Sequence, residues 1–228
     1  MIIWINFKKR EEKFMILNEK EYFSCILDDF FLILDKEDSF LDEDIINIDE
    51  FVESERAYDV DAGVSKGVII IKDNSNPYSN KVLKFNLDYI DGEESWEDFC
   101  AKEYENYLKA KEAKLDFLFA PVEPALFYKG RQFYAQDKVS FFNKISYEES
   151  NKVISSSLID YSDNYRYDFR ICERFVASVI SYYGEEICQK LFTFLKDNKI
   201  NDIHDGNWGL INGAPVVFDY SGFGEEEE

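Results

Sequence analysis

Two short stretches of this 228-residue chain hold the residue types that phosphate chemistry needs: Asp202-Ile-His-Asp-Gly-Asn207 and Phe218-Asp219-Tyr-Ser-Gly222. Phosphoryl transfer asks little covalent chemistry of a protein. It asks for hard oxygen donors around a cation such as Mg²⁺, and for an acidic group that orients the attacking hydroxyl. Asn207 offers an amide oxygen and Asp219 a carboxylate. The runs Leu210-Ile211 and Val216-Val217-Phe218, joined through Asn212-Gly213, read as a hairpin that can bring both to one edge of a small sheet. Asp202 lies five residues before Asn207, so one loop can present both side chains to one cleft. Each residue alone is an ordinary turn residue, and only their order carries the signal.

The stretch resembles the catalytic and metal-binding loops of the protein-kinase-like superfamily. It is nearest in pattern to aminoglycoside-phosphotransferase-type sequences, H-G-D-L-H-x-G-N followed by a strand and an Asp, and to short kinase-like proteins of bacteria and phages. The resemblance implies an ATP–Mg²⁺ site with Asp202 as catalytic base and Asn207 and Asp219 as metal ligands. Two positions depart from the pattern. The family's first His is Ile200, and D-F-G is replaced by Asp219-Tyr-Ser-Gly. The lost His bears on loop geometry, and so on efficiency more than on nucleotide binding. His204 matches the His that props this loop, and Asp205 reads as a solvated turn residue.

The resemblance also implies further parts in a fixed order upstream. A glycine-containing turn that approaches phosphates is met loosely by Gly63-Val-Ser-Lys-Gly67, with Gly63, Ser65 and Gly67 facing the nucleotide; the family's third glycine is missing, and a plain hairpin explains the stretch nearly as well. A strand lysine is met by Lys84 after Val82-Leu83; Lys81 competes but sits beside the turn. A helix glutamate is met by Glu103, which interrupts the apolar stripe of Trp96, Phe99, Tyr107 and Ala110, whereas Glu105 falls on the polar face. A carboxylate on an apolar stripe needs a cation, so Lys84 and Glu103 are expected to pair within about 4 Å. The hinge falls at Phe133–Val139, where the backbone of Gln136 to Lys138 would meet adenine.

The surrounding elements give an α+β, two-lobed, protein-kinase-like architecture: a small β-rich first lobe and a truncated, mostly helical second one. Residues 1–57 read as an N-terminal extension with a strand, a helix at Glu21–Leu34 and an acidic stretch. Residues 58–139 form the first lobe and hinge. They contain strands at Val68–Lys72 and Lys81–Phe85, a helix over Glu93–Leu115, and a hairpin of Ala125–Tyr128 with Gln132–Ala135 around Lys129-Gly130. Residues 140–228 form the second lobe, with helices at Tyr147–Leu158, Tyr167–Tyr183 and Glu185–Asn198, and an acidic tail at Glu225–Glu228. Only nine residues follow Asp219, so the peptide-binding ledge of ordinary protein kinases is expected to be lacking.

Composition narrows the partners. Twenty-six Lys and Arg face 47 Asp and Glu, a net charge of −21, which repels phosphate backbones and favours a basic protein partner over nucleic acid. Four cysteines without CxxC spacing, and a single His, argue against zinc and for reduced thiols. The first residues are too short an apolar run for a leader, and none approaches a membrane span, so a cytoplasmic protein is expected. Three readings stand: a minimal kinase acting on a protein or small-molecule hydroxyl; a nucleotide-binding or degenerate pseudokinase that binds another protein; and an acidic inhibitor or immunity-type protein using the fold as a scaffold.

Overall fold

The computed structural model describes residues 18–34, 57–63, 65–72, 77–87, 89–90, 93–94, 97–161 and 170–222. Strand formation begins with period-2 patterning. In Tyr58-Asp-Val-Asp-Ala62 (β1), Tyr58 and Val60 are buried, while Asp59 and Asp61 point away from the core. β2 (Lys66–Ile71) and β3 (Lys81–Asn86) follow. The two-residue strands β4 (Tyr89–Ile90) and β5 (Glu93–Glu94) pair with each other, and β6 (Val122–Tyr128) and β7 (Arg131–Asp137) come after them. Five of these strands form an antiparallel sheet in the order β1-β2-β3-β7-β6.

Register assigns each side chain to a face. Gly67 pairs with Phe85, Ile69 with Leu83, and Leu83 with Ala135, so these residues share one face. That face is covered by α1 (Glu19–Leu34), whose Phe23, Ile26, Leu27, Phe30 and Phe31 recur at the spacing of a helix stripe and join the sheet in one core. Lys66, Lys84, Tyr134 and Gln136 fall on the opposite face, toward α2 (Phe99–Glu112). Asp98 caps that helix, its carboxylate accepting from the Ala101 amide at 2.9 Å.

A second core gathers α3 (Tyr147–Ser156), α4 (Glu173–Tyr183), α5 (Glu185–Asp197) and the hairpin of β8 (Trp208–Ile211) with β9 (Ala214–Val217). Ser146 and Glu149 form a capping box at the start of α3. Gly184, at φ 89°, both ends α4 and starts α5, a turn that a side chain would strain. The Ala120 amide donates to the Val217 carbonyl at 2.7 Å, and Ser140 and Leu210 exchange backbone bonds at 2.8 Å, so the hairpin is stitched to the chain that follows α2.

The mixed α+β class agrees with the sequence expectation, and the differences have local causes. The helix expected from Glu93 starts at Phe99, because Glu93–Glu94 is used as a strand and Asp98 supplies the cap. The helix expected from Tyr167 starts at Glu173, with 162–169 outside the described residues. The N-terminal helix packs on the sheet: α1 supplies six of the fourteen buried residues of the sheet's apolar core. Cys100, Ala110 and Tyr134 belong to the second core, so that core draws on residues before 140. The expected first strand, the whole acidic stretch at 35–55 and the acidic tail lie outside the described residues. Among those described, no helix is long and apolar enough to cross a membrane. The four cysteines form no disulfide with one another; Cys100 and Cys188 are buried and Cys25 is exposed.

Candidate functional site

Two lysines on neighbouring strands point from one face of the sheet at one glutamate of the helix above. Glu103 is 0% exposed, Lys84 4% and Lys66 6%. Lys84 Nζ donates to Glu103 Oε2 at 2.6 Å, the ion pair expected from the sequence. Lys66 Nζ donates to the other oxygen, Oε1, also at 2.6 Å, and this second lysine was not expected. Lys66 goes on to Asp219 Oδ1 at 2.5 Å and Ser221 Oγ at 3.2 Å. Lys84 goes on to the Phe218 carbonyl at 3.0 Å and Gln136 Oε1 at 3.3 Å. Each ammonium has three protons to donate, and each finds three acceptors. Burial of both is thereby compensated.

The electrostatics close on themselves. Lys66, Lys84, Glu103 and Asp219 sum to zero charge. Burial raises the Asp219 carboxyl, but the Lys66 and Lys84 charges outweigh it and hold the group at about 2. Burial lowers the Lys66 ammonium, and Glu103 and Asp219 outweigh that in turn, leaving it raised. Burial pushes the Glu103 carboxyl up against the pull of the two ammoniums. Since both can only donate, the acceptor they require at 2.6 Å is the carboxylate.

Asp202 sits in the left-handed region at φ 64°, a conformation that Asp tolerates better than most residues. Its carboxylate stands 3.8 Å from Arg170 Nη1. The Asn207 side-chain amide donates to the Asp202 carbonyl at 2.8 Å, and the Asn207 carbonyl accepts from the Phe218 amide at 3.0 Å. The loop and the 218–222 segment are thus locked together. Asp202, Asn207 and Asp219 line one small cleft with Ser65, Lys66 and Ser221. Its volume of about 40 Å³ holds a water or an ion, far less than the several hundred Å³ of a nucleotide pocket.

Other expected residues are placed differently from their anticipated use. Gly63 closes the β1–β2 turn by donating to the Lys66 carbonyl at 2.9 Å. Gly67 is required by packing, since a Cβ there would lie 2.2 Å from the Phe85 ring. Of the three, Ser65 alone reaches the cleft. Where the hinge was expected, the Asp137 and Lys138 amides donate to the Pro121 and Asn80 carbonyls at 3.0 and 2.7 Å, so both donors are spent within the protein. The Lys138 ammonium caps the Ile71 carbonyl at the end of β2.

Asp205 corrects the expectation of a solvated turn residue. It accepts from Tyr147 Oη, Arg174 Nη1, Trp208 Nε1 and Cys172 Sγ, at 2.8 to 3.2 Å, tying α3, α4 and β8 together. Burial raises its carboxyl, and these hydrogen bonds outweigh that, bringing it to about 2. His204 is exposed and supports only its own loop, its Nδ1 accepting from the Gly206 amide at 2.9 Å.

The donor set does not suit a resident Mg²⁺. Asp219, its one charged ligand, already has an oxygen against an ammonium at 2.5 Å, and Asn207 is neutral. Among the described residues no group of three or more His, Cys, Asp and Glu is placed to hold a metal. Lys66 and Ser221 were missed in the sequence, although the alternation Lys66, Val68, Ile70 places Lys66 on the same face as Lys84. Comparison with family models, curated proteins and solved structures returned no match to this chain.

Proposed function

We propose that the chain is a two-lobed, kinase-like phosphotransferase that takes ATP as donor and a hydroxyl of a protein or small molecule as acceptor. The observation that carries this reading is convergence. Lys66, paired with the buried Glu103, lines one cleft with Asp202, Asn207 and Asp219, and Lys84 holds the other oxygen of Glu103 behind it. In this reading the Lys66 ammonium at the cleft shares its protons between its carboxylates and phosphate oxygens, while Lys84 holds Glu103 in place. Asp202 orients the acceptor and takes its proton as the oxygen attacks the terminal phosphorus. The bond to the bridging oxygen then breaks, and ADP leaves with its electrons. A triphosphate enters only as the cleft widens, because 40 Å³ does not hold one. The net charge of −21 favours a basic protein as the acceptor's carrier.

The test is transfer from labelled ATP beside thermal stabilisation by ATP, which any ligand of the folded state must produce. Asp202→Asn is expected to keep the stabilisation and to cut transfer by roughly 10²–10⁴-fold. A variant as active as the parent would remove Asp202 from the chemistry. One feature favours a second reading, a pseudokinase scaffold: the four charged groups satisfy one another before any ligand arrives. That reading expects neither stabilisation nor transfer, and full partner-directed effect from Asp202→Asn.

A further inference from the structure

We infer that the Lys66 ammonium takes the place of a divalent metal in this centre, so that nucleotide binding here is independent of Mg²⁺ and Asp219 is closed to a divalent ion. The nucleotide half of this inference rests on the phosphotransferase reading; the metal half stands without it. Lys66 Nζ lies among three oxygens from two distant parts of the chain: Glu103 Oε1 of α2 at 2.6 Å, and Asp219 Oδ1 at 2.5 Å and Ser221 Oγ at 3.2 Å from the 218–222 segment. An all-oxygen set with carboxylates is what a hard cation takes, and here a tethered monocation holds it.

The tether is fixed. Lys66 pairs with Asn86 on β3, and Gly67 beside it is pressed on the Phe85 ring, so β2 cannot slide to withdraw the ammonium. The side chain itself is 7% exposed, so it has little solvent to swing into. A divalent ion at Asp219 would stand beside this ammonium, and of the two residues expected to hold it Asn207 is neutral and Asp219 already has an oxygen on Lys66. A triphosphate, by contrast, brings its own negative charge to the Lys66 ammonium, which can share its protons with it, and Ser65 and Ser221 line the same cleft.

The experiment has two arms on the full chain. In the first, Mn²⁺ alone is titrated and free Mn²⁺ followed by electron paramagnetic resonance. The parent is expected to bind none at this centre, and Lys66→Met to gain a site that Asp219→Asn removes. A parent site abolished by Asp219→Asn would overturn the inference, and so would a folded Lys66→Met that gains nothing. In the second, ATP affinity is measured by calorimetry in EDTA and in Mg²⁺. The parent is expected to bind about equally in both, and Lys66→Met to lose about tenfold or more in EDTA and recover in Mg²⁺. A parent that needs Mg²⁺ overturns the nucleotide half. A parent that binds no ATP in either buffer defeats the phosphotransferase reading, and the Mn²⁺ arm still decides the role of Lys66. If Lys66→Met does not fold, Lys66→Gln replaces it, and the Mn²⁺ titration of the parent still decides against or for a closed Asp219.

Discussion

Glu103→Gln keeps the shape of a fully buried side chain and removes its charge, so two ammoniums lose their shared counter-ion at once. The new amide oxygen can accept from one of them, but its NH₂ then faces the other, donor against donor. The centre moves from zero to +1, with Asp219 the one carboxylate left. Removing one partner of a buried pair costs about 3–5 kcal/mol, and two dependent cations put this case in the upper part of that range. For a chain of this size about 4–5 kcal/mol corresponds to a fall in Tm of roughly 8–20 °C. Urea is the denaturant to use, because guanidinium salt would screen the charges being tested. The double variant Glu103→Gln/Lys66→Met returns the centre to zero charge, so it is expected to be more stable than Glu103→Gln alone by about 2 kcal/mol. Two outcomes would refute the reasoning: a Glu103→Gln variant within about 1 kcal/mol of the parent, or single losses that simply add in the double variant.

Gly67→Ala places a methyl group into the Phe85 ring and is expected to cost about 1–3 kcal/mol, with recovery in Gly67→Ala/Phe85→Leu; equal Tm for parent and single variant would contradict the packing account. Asp205→Asn weakens four hydrogen bonds and is expected to cost about 1–2 kcal/mol near pH 6, discounted for partial exposure. The Asp205 carboxyl stands at about 2 in the folded protein against about 3.9 unfolded, so its stabilisation is complete above about pH 4 and lost as the pH falls toward 2. Urea unfolding across that range should show parent and Asp205→Asn converging, and a constant gap would rule out the carboxylate as the cause.

Periodicity made the sheet and its helices legible. The runs at 66–71 and 81–86 and the stripe of α1 announce themselves, and Glu103 was found because a carboxylate interrupts an apolar stripe. β1 was missed because two aspartates in five residues resemble the acidic stretch before it, although Tyr58 and Val60 alternate as a half-buried strand must. Lys66 was missed for a different reason. A lysine at the mouth of a strand ordinarily reaches solvent, and only the register with β3, together with Asp219 brought in from far along the chain, turns it inward. Gly67 illustrates the converse error: its lack of a side chain serves an aromatic ring across the strand, which no local pattern records. Asp205 gathers partners from three elements that a turn-like sequence cannot name.

The segment Phe218–Gly222 is clipped to the sheet and to α2 almost residue by residue. Lys84 holds the Phe218 carbonyl, Lys66 holds Asp219 and Ser221, and Asn106 holds the Tyr220 carbonyl, across separations of 134, 153, 155 and 114 residues. Contacts so distant in the chain form late, because the entropy of closing the intervening loop is lost before any of them gives a return. Two lysines buried on the sheet face have no full set of acceptors until that closure, so the sheet gains its final stability only from a segment made long after it. Assembly of the centre and completion of folding are therefore one kinetic event, and the two cores are expected to melt in a single transition.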